Sequence, residues 1–145
     1  MATDSAHRGV SIERVSAGRF TARNDRGGEI TFGTSTGGGA GFTPVELLLA
    51  ALGGCTAIDV DILTSRRAEP EAFGVDVGAD KVRDSAGNHL ADIEVTFRVA
   101  FPAGEAGDAA RAVLPDAVRQ SHNRLCTVSR TIELGIPVTS RVQAG

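Results

Sequence analysis

Thr43-Pro44-Val45-Glu46-Leu47-Leu48-Leu49-Ala50-Ala51-Leu52-Gly53-Gly54-Cys55-Thr56-Ala57-Ile58-Asp59-Val60 is the part of the chain on which its architecture turns. Thr43 suits a helix N-cap and Pro44 the first helical position. Glu46 stands three residues after the cap, as a capping box requires. A helix that starts here runs to Arg66-Arg67, whose charges suit its C-terminal end. At 1.5 Å per residue it is roughly 34 Å long. Its middle, Leu47 to Cys55, is apolar on every side, and a helix apolar all round is buried all round. A chain of 145 residues can hardly wrap such a helix alone, so a second copy of the chain is expected over its other face. Gly53-Gly54 costs about 1–2 kcal/mol against Ala-Ala in a helix. The expected return is close backbone approach at a crossing beside Cys55.

Upstream of this helix the sequence reads as short strands. Val10 to Val15 alternates, Ala17-Gly18 turns, Arg19 to Arg23 alternates again, and Asp25-Arg26-Gly27-Gly28 turns into a third strand over Glu29 to Phe32. The result is a meander with one apolar face. Gly33 to Phe42 is a glycine-rich loop with Gly37-Gly38-Gly39 and Gly41. It lacks the Lys-Ser/Thr ending of a phosphate-binding loop, which leaves a surface loop or a lid over a substrate site. Downstream, Phe73 to Val82 and Leu90 to Phe101 alternate around the turn residues Ser85-Ala86-Gly87-Asn88. Glu105 to Arg119 carries a one-sided apolar pattern, with Pro115 expected to kink or interrupt it. His122 to Arg130 predicts a short helix carrying Cys126, and Thr131 to Val142 a closing strand. The order βββ-α-ββ-α-α-β predicts an α+β fold in a single domain over residues 1–145.

Composition narrows the function. A formal net charge of -3, a sequence pI near 5.6 and six Phe as the only aromatic residues disfavour nucleic-acid binding. The first residues lack the basic start and apolar core of a signal peptide. Glu46, Asp59 and Asp61 make a membrane span of 45–63 expensive. A cytoplasmic protein with no membrane partner is expected. In a reducing compartment Cys55 and Cys126 are inert core residues, metal ligands or redox-active thiols, rather than a structural disulfide. Of the Cys/His pairs only His122 and Cys126 have ligand spacing, so no metal site is expected. Thiol redox chemistry needs a cation beside one thiol and a second thiol to pair with it.

Residues 43–60 resemble the central helix of the OsmC/Ohr family, the osmotically inducible and organic-hydroperoxide-resistance proteins. Leu125-Cys126-Thr127-Val128-Ser129-Arg130-Thr131 resembles that family's second cysteine motif, and the element order fits along the whole chain. The resemblance implies antiparallel sheets wrapped around paired central helices in an intertwined homodimer. It further implies a thiol peroxidase for small organic hydroperoxides that needs no cofactor. Cys55 corresponds to the peroxidatic cysteine and Cys126 to the resolving one, with a dithiol as reductant.

The family's peroxidatic enzymes orient an activating Arg with a Glu ten residues before the cysteine, and here that residue is Val45. Glu46 lies nine residues before Cys55; at about 100° per residue it faces the opposite way, and its capping role accounts for it. Arg19 and Arg23 share a face of the second strand, and either is a candidate for the activating cation. The pattern around Cys55 places the chain nearer the OsmC-like branch. Asp59, one turn after Cys55, would raise a thiol pKa and reads as structural, with a bond across a dimer as one option. His122 and Arg130 flank Cys126 at helical distance. Three readings stand: a peroxidase working through a Cys55–Cys126 disulfide, a protein that binds a small hydrophobic ligand in an apolar interface pocket that the cysteines sense or line, and a structural role for both thiols.

Overall fold

The computed structural model describes residues 3–37, 41–143 and 145. It is α+β, with two antiparallel sheets and three α-helices among the described residues. They form two compact units, Met1–Leu48 and Leu49–Gly145.

In the first unit, strands β1 (Ser11–Ser16), β2 (Arg19–Arg23) and β3 (Glu29–Gly33) pair antiparallel in the order β1-β2-β3. Gly18, at φ 70°, makes the β1–β2 turn in a conformation that other residues rarely adopt. One face carries Ile12, Ala22 and Ile30 in register, with Phe20 stacked on Phe32 at 6.2 Å between ring centroids. Ile12 and Ile30 are nevertheless half exposed, at 56% and 50%. The other face carries Arg19, Thr21 and Arg23. At the ends of the Gly33–Phe42 loop, Phe42 bridges back to Phe32 and its carbonyl accepts the Gly33 amide at 3.0 Å. Its Gly38-Gly39 core lies outside the described residues. The capping box forms as expected: the Glu46 amide donates to Thr43 Oγ1 at 3.2 Å and the Thr43 amide to Glu46 Oε1 at 2.8 Å. It opens helix α1 (Pro44–Ser65).

The second unit holds the rest of α1, a long hairpin of β4 (Ala72–Asp84) and β5 (Gly87–Ala100), and helices α2 (Glu105–Gln120) and α3 (Thr127–Leu134). By length and composition α1 could cross a membrane, with mean hydropathy 1.7. Here Leu52, Gly53, Thr56, Val60 and Thr64 form a buried stripe. Gly53 lies against β4, where an added Cβ would stand 2.6 Å from Val77 Cγ2. The expected close approach is met at Gly53 alone, and by valine side chains rather than by backbone. Gly54 faces open space. It belongs to an opposite stripe with Ile58 and Ile62, which are 62% and 53% exposed.

Three expectations need correcting. Helix α2 is continuous through Pro115, which removes one amide without ending the helix. Residues 122–130 do not form one helix. The chain leaves α2 through a π-helical turn, Ser121–Leu125, becomes extended at Cys126 (φ -75°, ψ 103°), and starts α3 one residue later. Thr131 to Val142 is not a strand. The first part belongs to α3, which ends at Gly135 in the left-handed conformation, and the described residues beyond it are irregular.

Candidate functional site

The second unit brings Cys55 and Cys126 together. Cys55 is carried by the middle of α1, and Asp59 stands one turn further along the same helix. Cys126 is the N-cap of α3: its Sγ accepts the Ser129 amide at 3.3 Å, and its own amide donates to the Ser121 carbonyl at 2.9 Å. The two sulfurs and an Asp59 carboxylate oxygen all lie within 4.8 Å of one another. Both cysteines are free thiols; Cys55 is half-buried and Cys126 fully buried.

A chain of hydrogen bonds fixes Asp59. Ser121, itself fully buried, donates to Asp59 Oδ2 at 2.8 Å. Its single proton is thereby used, so the 2.7 Å contact with Thr56 is donated by the threonine hydroxyl. Asp59 is therefore bonded within its own chain. Burial pushes the Cys126 thiol above its ordinary range, and the Ser129 amide only partly offsets this. The remaining influences, Cys55 and Asp59, push in the same direction as burial. Cys126 is accordingly held as a neutral thiol.

The other candidates lie elsewhere. His122 pairs with Glu133 at 3.0 Å rather than with Cys126. Arg130 donates its backbone amide to the Cys126 carbonyl while its side chain is exposed. In the first unit, Arg23 reaches Glu29 at 2.9 Å and Glu13 at 3.4 Å. No ion pair of Arg19 occurs among the described residues.

A cavity of about 520 Å³ opens in the second unit, and neither Cys55 nor Cys126 lines it, so the expected pocket lined by the cysteines is not the one found. Leu52, Val95, Phe97 and Val118 supply apolar wall, and Thr56 and Ser129, each near a cysteine in sequence, also line it. His122 and Glu133 also line it. Thr56, Ser121 and Ser129 escaped the sequence reading. The one available signal was that Thr56 and Ser129 stand one and three residues from the cysteines; nothing in the spacing marks Ser121.

Residues 37–141 match the family model described as OsmC-like protein. No curated protein matches the sequence. An OsmC-like protein of unknown function from Vibrio cholerae superposes with a TM-score of 0.74 at 14% identity, over 89% of this chain and 95% of the other. A hypothetical protein from Aquifex aeolicus gives 0.71 at 22% identity, over 90% and 89%. The organic hydroperoxide resistance protein OhrB of Bacillus subtilis gives 0.54 at 16% identity, over 87% and 90%. At such identities the likeness establishes the fold.

Proposed function

The chain belongs to the OsmC-like protein family, and from that premise we propose that it is a cytoplasmic thiol peroxidase for small organic hydroperoxides, working through Cys55 and Cys126. One observation carries the reading: two cysteines separated by 71 positions in sequence meet within 4.8 Å, both reduced. Cys55 is the sulfur a hydroperoxide can reach, and Cys126 is the buried, neutral partner. The Cys55 thiolate attacks the O–O bond, the substrate leaves as an alcohol after taking up a proton, and Cys55 becomes a sulfenic acid. Cys126 then gives up its thiol hydrogen as the disulfide forms, and the sulfenic hydroxyl departs as water. An external dithiol restores both thiols. Arg19 or Arg23 is the candidate activating cation. The half-exposed Ile58 and Ile62 on α1, with Ile12 and Ile30 on the first sheet, support a homodimer that covers these apolar faces.

The test is to treat the reduced protein with one equivalent of cumene hydroperoxide or of hydrogen peroxide and map disulfides by mass spectrometry. Rapid Cys55–Cys126 linkage with the organic oxidant, lost in Cys55→Ser, is expected. Slow oxidation of both thiols without preference between oxidants would overturn the reading. Val45→Glu, which restores the acid of the peroxidatic enzymes, is expected to raise the rate.

The cavity of about 520 Å³ favours a second reading, a carrier or sensor of a small hydrophobic ligand. Saturable binding of a nonreactive alcohol or fatty acid, with no thiol oxidation by its hydroperoxide, would select it.

A further inference from the structure

Three donor atoms of metal-ligating type converge on one point: Cys55 Sγ, a carboxylate oxygen of Asp59 and Cys126 Sγ, all within 4.8 Å of one another. Cys55 and Asp59 sit at i and i+4 on one face of α1, the spacing that lets a helix present two ligands to one ion. The third donor arrives from the N-cap of α3. In a tetrahedral zinc site, metal–sulfur bonds of about 2.3 Å set neighbouring ligands roughly 3.8 Å apart. The three donors, all within 4.8 Å of one another, lie within about 1 Å of that spacing.

The surroundings resemble what metal ligands need more than what a bare thiol pair needs. A ligating carboxylate is ordinarily held by an outer hydrogen bond. Asp59 has one from Ser121 at 2.8 Å, and Ser121 is in turn held by Thr56 at 2.7 Å. A ligating thiolate gains from an amide aimed at its sulfur, and Cys126 has the Ser129 amide at 3.3 Å. Two sulfurs and a carboxylate oxygen that meet within 4.8 Å of one another form a donor set that one divalent cation can bridge.

We propose that the reduced protein binds one zinc-class divalent cation through Cys55, Asp59 and Cys126, with water as the fourth ligand. The donor set of two thiolates and one carboxylate suits zinc and excludes magnesium or calcium, which take oxygen ligands. Because the ion occupies both sulfurs, metal binding and disulfide formation compete for the same reduced state.

The experiment titrates the reduced, metal-free full chain with Co²⁺ and then displaces it with Zn²⁺. One Co²⁺ per chain is expected, with a thiolate-to-cobalt charge-transfer band and the visible bands of four-coordinate cobalt. Cys55→Ser and Cys126→Ser should each lower the charge-transfer band by about half, since each removes one of two thiolates. Asp59→Asn keeps the acceptor for Ser121 and should weaken Zn²⁺ at least about tenfold while leaving the far-ultraviolet circular dichroism unchanged. Six-coordinate cobalt without a charge-transfer band, or Zn²⁺ affinity unaltered by Asp59→Asn, would overturn the proposal. Peroxidase failure reads out separately, because cumene hydroperoxide should link Cys55 to Cys126 in metal-free protein whether or not zinc binds.

Discussion

The direction of the Thr56–Ser121–Asp59 hydrogen bonds makes a quantitative prediction. Ser121 spends its one proton on Asp59, so it accepts from Thr56. Ser121→Ala removes a bond to a half-exposed carboxylate, about 1.5 kcal/mol, and strands the buried Thr56 hydroxyl, about another 1.5 kcal/mol. The loss is therefore about 3 kcal/mol. Thr56→Val removes one neutral bond and leaves Ser121 still paired with Asp59, for about 1 kcal/mol. In the double variant no hydroxyl is stranded, so the total is about 2.5 kcal/mol rather than the additive 4, a coupling of about 1.5 kcal/mol. Urea denaturation of the four reduced proteins at one fixed protein concentration measures the cycle. Equal costs for the two single substitutions would reverse the assigned bond direction. Additivity within about 0.5 kcal/mol would show that the three groups do not act as a unit.

Other expectations are simpler. The raised Cys126 pKa means that the folded state holds this thiol protonated after the unfolded chain's thiol has begun to ionise. Its stabilising contribution is therefore complete below the ordinary value of 9.0 and is lost as pH climbs through the higher folded value. Denaturation midpoints from pH 7 to 10 (about the Cys and Tyr range) should fall less steeply in Cys126→Ser. Arg23 pairs with Glu13 and Glu29 on an exposed sheet face, so Arg23→Ala should cost less than about 1 kcal/mol. A large fall in peroxide-driven Cys55 oxidation in that variant would then report chemistry rather than folding. Ile58→Glu places a charge on the exposed stripe of α1; sedimentation should show dimer for the parent and monomer for the variant. An unchanged dimer would remove α1 from the interface.

The parts of the fold that the sequence announces are those set by neighbours a few residues away. Thr43 and Glu46 cap α1 because both partners of each bond lie within one turn. Strand β2 starts and ends at Arg19 and Arg23, as its alternation predicts. The segment around Cys126 is misread because its conformation depends on distant groups. Ser121 turns away from regular helix where it meets Thr56 and Asp59, more than sixty positions upstream. Thr131-Ile132-Glu133-Leu134 alternates like a strand, yet the cap at Cys126 and the left-handed Gly135 enclose it in a helix. The candidate site is legible to the same extent: two thiols and a carboxylate come from motif and i, i+4 spacing, whereas the serine that orients the carboxylate leaves no local trace.

Cys126 occupies a helix N-cap, a position that ordinarily favours a side-chain oxygen. A sulfur is a weak acceptor for the Ser129 amide, and serine is among the best residues for starting a helix. The usual chemical knock-out, Cys126→Ser, thus replaces a poor cap by a good one. With sulfur at that position α3 starts less firmly than it would on an oxygen, so a function that requires the Cys126 thiol is met at the expense of the helix it begins.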